Sequence, residues 1–259
     1  MNTGVEACET AVKLARRFAY QIKNIPENQA KIVFAENNFW GRSIAAVSAS
    51  TDASSYKNFG PFVPNFEIIP YNNTEALENK LKNDPNICAF MVEPIQGEAG
   101  VYVPDDGYLT KVSALCKKYN VLFIADEVQT GIGRTGKLLC VDHENVKPDV
   151  VCVGKALAGG FYPVSGILSS KKLMDVFEPG SHGSTFGGNP LAASLAMTAL
   201  DILVDEKLVE NSEKQGPPPP QVVYQKINNR MPKLFNSAQF SRNNSLPAAS
   251  NIAPQTPPP

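Results

Sequence analysis

The strongest constraint on this chain is an alternation. Short apolar runs at residues 31–35, 67–70, 89–92, 121–125 and 149–153 are separated by helical or turn-rich stretches such as residues 106–119. Strands that alternate with helices pair in parallel, because a parallel neighbour is reached only by a crossover of a dozen or more residues, which a helix supplies. The run at 149–153 is almost wholly apolar, as a strand covered on both faces should be. Near the start, Ala7, Ala11, Leu14, Ala15, Phe18 and Ile22 recur at helical spacing. That spacing predicts an amphipathic helix over residues 5–22, with Thr3 and Glu6 as its capping box. A second long helix is predicted over residues 191–208. The expected fold is α/β, with a mostly parallel central sheet and helices on both faces.

Composition narrows the partners. A 259-residue chain with 43% hydrophobic residues can bury a substantial core. Its 24 basic and 25 acidic residues leave a formal charge of −1, so the basic surface that a phosphate backbone demands is missing and nucleic acid is not an expected partner. Cys8, Cys88, Cys116, Cys140 and Cys152 lack the close pairing of zinc sites, and their odd number argues against a closed disulfide framework. No apolar run is long enough to span a bilayer, so a membrane is not an expected partner either. Beyond Lys214 the composition changes: four prolines occupy residues 217–220, and the remainder is rich in Asn, Ser and Pro. Proline at that density forbids a helix interior or central strand, and too few large apolar residues follow to offset the entropy of ordering. Residues 1–215 are therefore expected to form one domain and residues 216–259 a mostly disordered tail.

Two segments carry chemistry. In Val121-Leu-Phe-Ile-Ala-Asp126-Glu-Val-Gln129 an apolar strand delivers two acids at its carboxyl end, where open α/β sheets place their ligands. Burying a carboxylate there costs several kcal/mol in order of magnitude unless a cation meets it. Asp126 taken alone reads as a loop cap. The second segment, Asp149-Val-Val-Cys-Val-Gly154-Lys155-Ala-Leu-Ala-Gly159, sets a lysine just beyond a buried strand among glycines. Lys155 taken alone reads as a snorkelling surface residue. Together, an acid at one strand end and an amine at a later one suit opposite sides of one flat cofactor. Pyridoxal 5'-phosphate (PLP) asks for that pair: an amine to bond its aldehyde carbon and an anion to keep its pyridine nitrogen protonated. The spelling Gly131-Ile-Gly133-Arg-Thr-Gly136 mimics a dinucleotide fingerprint, but five residues intervene after Asp126, whereas the first glycine of such a motif follows its strand directly.

At these residues the chain resembles the class III PLP-dependent aminotransferases, and within them the ornithine aminotransferases, over residues 2–214. The resemblance is carried by Asn2-Thr-Gly-Val-Glu-Ala, Asn38-Phe-Trp-Gly-Arg42, Val92-Glu-Pro-Ile-Gln-Gly-Glu98-Ala-Gly100, the Asp126 and Lys155 segments, and His182-Gly-Ser-Thr-Phe-Gly-Gly-Asn-Pro190. It implies the large domain of fold type I, with Lys155 as Schiff-base lysine and Asp126 as partner of the pyridine nitrogen. It further implies that Gly4 and Val5 offer backbone N–H groups to the cofactor phosphate, that Phe39 and Val128 press on opposite ring faces, and that Gln129 bonds the phenolic oxygen. Glu93 would sit near Asp126, and Arg42 would bind a substrate carboxylate. Glu98 would pair with an arginine of the small C-terminal domain and help sort ornithine from glutamate. Ser184 and Thr185 would reach the cofactor phosphate of a second copy, so a homodimer is implied. The implied reaction moves the δ-amino group of ornithine to 2-oxoglutarate, in the mitochondrial matrix by resemblance, with the cytoplasm as the alternative compartment because no presequence is visible.

Compared with the family pattern, the chain is expected to lack an N-terminal segment and the small domain beyond Lys214. An impaired PLP-binding or dimerising chain is therefore an alternative reading. Another class III aminotransferase, acting on 4-aminobutyrate or acetylornithine, is a further one.

Overall fold

The computed structural model describes residues 1–216. The expected tail over residues 216–259 lies, but for its first residue, outside the described residues. In chain order the elements are α1 (Gly4–Gln21), β1 (Lys31–Ala35), α2 (Ile44–Ser48), α3 (Ala53–Tyr56), β2 (Phe66–Ile69), α4 (Thr74–Asn83), β3 (Ile87–Val92), α5 (Tyr108–Lys118), β4 (Leu122–Asp126), β5 (Val150–Val153), β6 (Gly166–Ser169), α6 (Lys171–Met174), α7 (Pro190–Asp205) and α8 (Leu208–Gln215). Short 3₁₀ turns at Cys140–Glu144 and Lys155–Ala158 complete the set.

The strands form one sheet in the order β2-β1-β3-β4-β5-β6. The pairings from β2 to β5 are parallel, and β6 closes the far edge antiparallel to β5. After β1 the chain moves to one side for β2 and then to the other for β3. That reversal leaves a crevice at the carboxyl ends of β1 and β3, the place where sheets of this kind accept ligands.

Side chains alternate across each strand, so every strand feeds two cores. Ile32, Phe34, Ala89, Met91, Leu122, Ile124, Val150 and Cys152 pack beneath the apolar face of α1, through Ala7, Ala11, Leu14 and Phe18. Val33, Ala35, Phe90, Val92, Phe123 and Ala125 face the other way, onto Leu77 and Leu81 of α4 and Leu109, Val112 and Cys116 of α5. Helices cover both faces, as the alternation of apolar runs predicts.

Two local features differ from the expectations. Residues 191–208 do not form one helix, because the chain breaks after Asp205 and restarts at Leu208. Lys207 at the break has φ +53°, a left-handed conformation that no α-helix continues through. The strand β6 carries no long apolar run, since only one of its faces meets the sheet core. The expected capping box is present at Thr3, where Glu6 reaches back to the backbone N–H at 2.7 Å and also accepts from the Thr3 hydroxyl at 3.0 Å. All five cysteines are free and buried. Among the described residues no helix is long and apolar enough to cross a membrane.

Candidate active site

The period of two along β4 decides which acid belongs to the crevice. Leu122 and Ile124 face α1, so Asp126 faces α1 as well, and Glu127 points to the opposite side. Glu127 is fully buried there, accepting hydrogen bonds from the Thr130 hydroxyl and, at 2.8 Å, from the Val141 backbone N–H. Glu127 therefore anchors the turn after β4 and takes no part in the crevice. Asp126, 5% exposed, accepts from the Val128 N–H at Oδ1 (3.1 Å) and from the Cys8 thiol at Oδ2 (3.3 Å). Burial raises its pKa, while those two donors and the charge of Lys155 act in the opposite direction.

Lys155 follows β5, whose residue Cys152 lies opposite Asp126 in the parallel register. The lysine is exposed and has φ +41°, so the backbone turns sharply as it leaves the strand. Left-handed backbone costs a non-glycine residue about 1–2 kcal/mol and persists only where the surroundings hold it. The turn keeps the amine at the strand tip, outside the sheet.

Val128 brings the three segments together. A Cβ at Gly4 would lie 2.8 Å from Val128 Cγ1, and one at Gly154 would lie 3.3 Å from the same methyl. The N-terminus of α1, the turn after β4 and the residue before Lys155 thus converge on one side chain. Gly4 and Val5 occupy the first turn of α1, where backbone N–H groups have no intrahelical acceptor and the helix dipole favours an anion. Beside that turn, Asn2 donates to Ser184 Oγ at 3.2 Å and Ser184 donates to Glu6 at 3.2 Å. Burial alone would raise the Glu6 pKa, but the Thr3, Asn2 and Ser184 donors lower it to about 2. Thr185 is exposed next to this network.

The other wall of the crevice comes from β1 and β3. Phe39 follows β1, and its backbone N–H donates to Glu93 Oε1 at 2.9 Å just beyond β3. A small cavity lined by Phe39, Trp40, Met91, Glu93 and Asp126 lies between them. Arg42 is exposed, with its guanidinium carbon 5.5 Å from the Phe39 ring centroid. Gln129 donates to Glu98 at 3.3 Å, and its amide lies so close to Gly97 that a Cβ there would overlap it. Each site residue read from the sequence thus sits around this crevice or at its rim, except that Ser184 and Thr185 stand at the α1 end. The sequence reading missed Cys8, Gly97 and Asn2. For Cys8 a signal existed, since four residues after Gly4 on a helix lies on the same face.

Glu93 is a second displaced acid in the crevice. Burial, together with the charge of Asp126, raises its pKa from 4.5 to about 8, against the Phe39 and Gly97 N–H donors and Lys155. A carboxyl whose folded pKa exceeds its unfolded value binds more protons when folded, so stability falls as pH rises between the two values. The ligand-free protein should lose on the order of 3 kcal/mol from Glu93 between about pH 4.5 and pH 8. Glu93→Gln should flatten that part of the profile in chemical denaturation. An unchanged slope would show that Glu93 is not the group responsible.

Residues 1–219 match the Aminotransferase class-III family, so the chain belongs to the class III aminotransferases, which are PLP-dependent enzymes acting on amino acids and keto acids. Among its relatives, it is 66% identical over 216 residues to a probable mitochondrial ornithine aminotransferase of Caenorhabditis elegans, covering 83% of this chain and 51% of that protein. It is 65% identical over 216 residues to the mitochondrial ornithine aminotransferase of Drosophila melanogaster, covering 83% and 50%. The crystal structure of the ornithine aminotransferase from Toxoplasma gondii superposes with a TM-score of 0.82 at 54% identity, covering 83% of this chain and 51% of that one. The acetylornithine aminotransferase structure from Elizabethkingia anophelis superposes with a TM-score of 0.71 at 55% identity, covering 83% and 50%. The chain spans about half the length of the curated relatives it matches.

Proposed function

We propose that this crevice holds PLP between Asp126 and Lys155 and transfers the δ-amino group of ornithine to 2-oxoglutarate, giving glutamate-5-semialdehyde and glutamate. The observation that carries the reading is the convergence of the Asp126 turn, the Lys155 turn and the α1 N-terminus on Val128. The residues present fit the group. Asp126 is a buried carboxylate whose hydrogen-bond donors are two neutral groups, so it has capacity for a cationic ring nitrogen. The lack of a Cβ at Gly4 leaves Val128 room to reach the helix start that would cradle the phosphate.

PLP, when bound, supplies an electron sink for the carbon that carries the amine. Lys155 would bond the cofactor aldehyde and, once displaced by the substrate amine, would move the proton at that carbon. Asp126 would keep the ring nitrogen protonated. Gly4 and Val5 would bind the phosphate through backbone N–H groups. Phe39 and Val128 would hold the ring flat, and Gln129 would donate to its phenolic oxygen. Glu93, raised by burial, would support the Asp126 side of the crevice. Arg42 would grip a substrate carboxylate with its planar fork, and Glu98 would help sort ornithine from glutamate. Ser184 and Thr185 would serve the phosphate of a second copy in a homodimer. The relatives named mitochondrial support the mitochondrial matrix as the compartment.

A second reading has its own observation, because the acetylornithine aminotransferase structure, at 55% identity, is as similar in sequence as the Toxoplasma gondii ornithine aminotransferase structure, at 54%. Absorbance of the purified protein with added PLP, before and after each amine, tests both. A visible band that collapses with ornithine supports the first reading. Collapse only with acetylornithine supports the second, and no band at all would refute PLP binding by this chain.

A further inference from the structure

We infer that Cys8 is a positioning residue for Asp126: its thiol donates to Oδ2 and, with the Val128 N–H on Oδ1, fixes the carboxylate plane and holds it as the anion that faces the ring nitrogen. The thiol–carboxylate contact stands on geometry alone, while its consequence for PLP rests on the function proposed above.

Cys8 lies one helical turn beyond Gly4, so the helix that presents its first N–H groups to an anion also presents this sulfur to the tip of β4. Sγ is 3.3 Å from Asp126 Oδ2, within the range of a sulfur donor, and both side chains are buried. A buried cysteine ordinarily acts as a small hydrophobe. Here a carboxylate stands within reach, which changes what the S–H does. Burial, the neighbouring Cys152 and Asp126 raise the Cys8 pKa well above that of a free thiol, so the proton stays on sulfur and Cys8 remains a donor.

Cys152 extends the arrangement. It sits opposite Asp126 in the β4–β5 register, its sulfur 4.0 Å from the Ala7 carbonyl. Two neutral donors on one buried carboxylate stabilise its charged form without neutralising it, so the charge stays available to a cation. Removal of one donor raises the affinity of Asp126 for its own proton, and a ring nitrogen then competes less well for the charge.

The infrared S–H stretch tests the contact without cofactor. Subtracting the Cys8→Ala spectrum from that of the unmodified protein isolates the Cys8 band. We expect it at lower frequency than a free thiol and expect it to move upward when the subtraction is repeated in an Asp126→Asn background. The direct difference between the unmodified protein and Asp126→Asn carries the same shift if Cys8→Ala does not fold. A band at one frequency in both backgrounds would overturn the inference. PLP titration tests the consequence: Cys8→Ala should bind about fivefold more weakly, with the deficit growing as pH falls. Equal affinity at every pH would overturn the role toward the cofactor. If the unmodified protein takes up no PLP, the function proposed above fails, and the infrared arm alone decides the contact.

Discussion

Lys155→Ala, mixed with PLP, should show no visible absorbance from a covalently held cofactor, and amine turnover should fall by at least about 10³-fold. One residue is being asked to supply both the covalent bond and the proton transfer, and general acid–base catalysis alone is worth about 10²–10⁴-fold. Alanine is the informative replacement, because Lys155 has φ +41° and alanine keeps a Cβ in that left-handed backbone. Strain at the turn is unchanged, so the loss reports the amine and not a relaxed loop. A glycine there would mix the two effects. A band of unaltered position and intensity in Lys155→Ala would remove this residue from the chemistry.

Asp126→Asn should move two quantities in opposite directions. With PLP, turnover should fall by roughly 10²-fold or more, because a neutral amide cannot hold the ring nitrogen protonated. Without PLP, the variant should be more stable at pH 8 by about 1–3 kcal/mol, because a buried carboxylate short of a cation is a cost that asparagine does not carry. The sign follows from linkage: burial raises the Asp126 pKa above its unfolded value, so the destabilisation grows as pH rises through that window and disappears below it. Denaturation at pH 8 and again near pH 3 checks this, with the stability gain expected only at the higher pH. Equal turnover in the two proteins would disprove the role of Asp126. A less stable apo variant at pH 8 would instead show that the charge is satisfied within the chain.

Much of the fold was legible because its signals are local. The runs at 31–35, 89–92 and 121–125 became β1, β3 and β4 with end points displaced by at most two residues. The helix predicted over 5–22 became α1 with a shift of one residue at each end. What escaped was set by longer-range packing. The half-exposed strand β6 offers no apolar run, and its antiparallel pairing with β5 depends on a register that no local pattern encodes. The helix predicted over 191–208 carries no proline or glycine at its break, so Lys207 gave no warning there. Within the site, Asp126 and Lys155 stood out because each ends an apolar strand. Cys8 did not, because its carboxylate partner is 118 residues away.

The amino-acid order by itself determined where strands and helices run and that an acid and an amine end two strands, since periodicities of 2 and 3.6 and the residues that stop them are written within a few positions. Only the tertiary structure decided that Asp126 and not Glu127 faces α1, that β1 lies between β2 and β3, and that Gly4, Val128 and Gly154 meet. Those outcomes follow from strand order and from which face packs against which helix, quantities fixed when distant segments exclude water together and not by any segment alone.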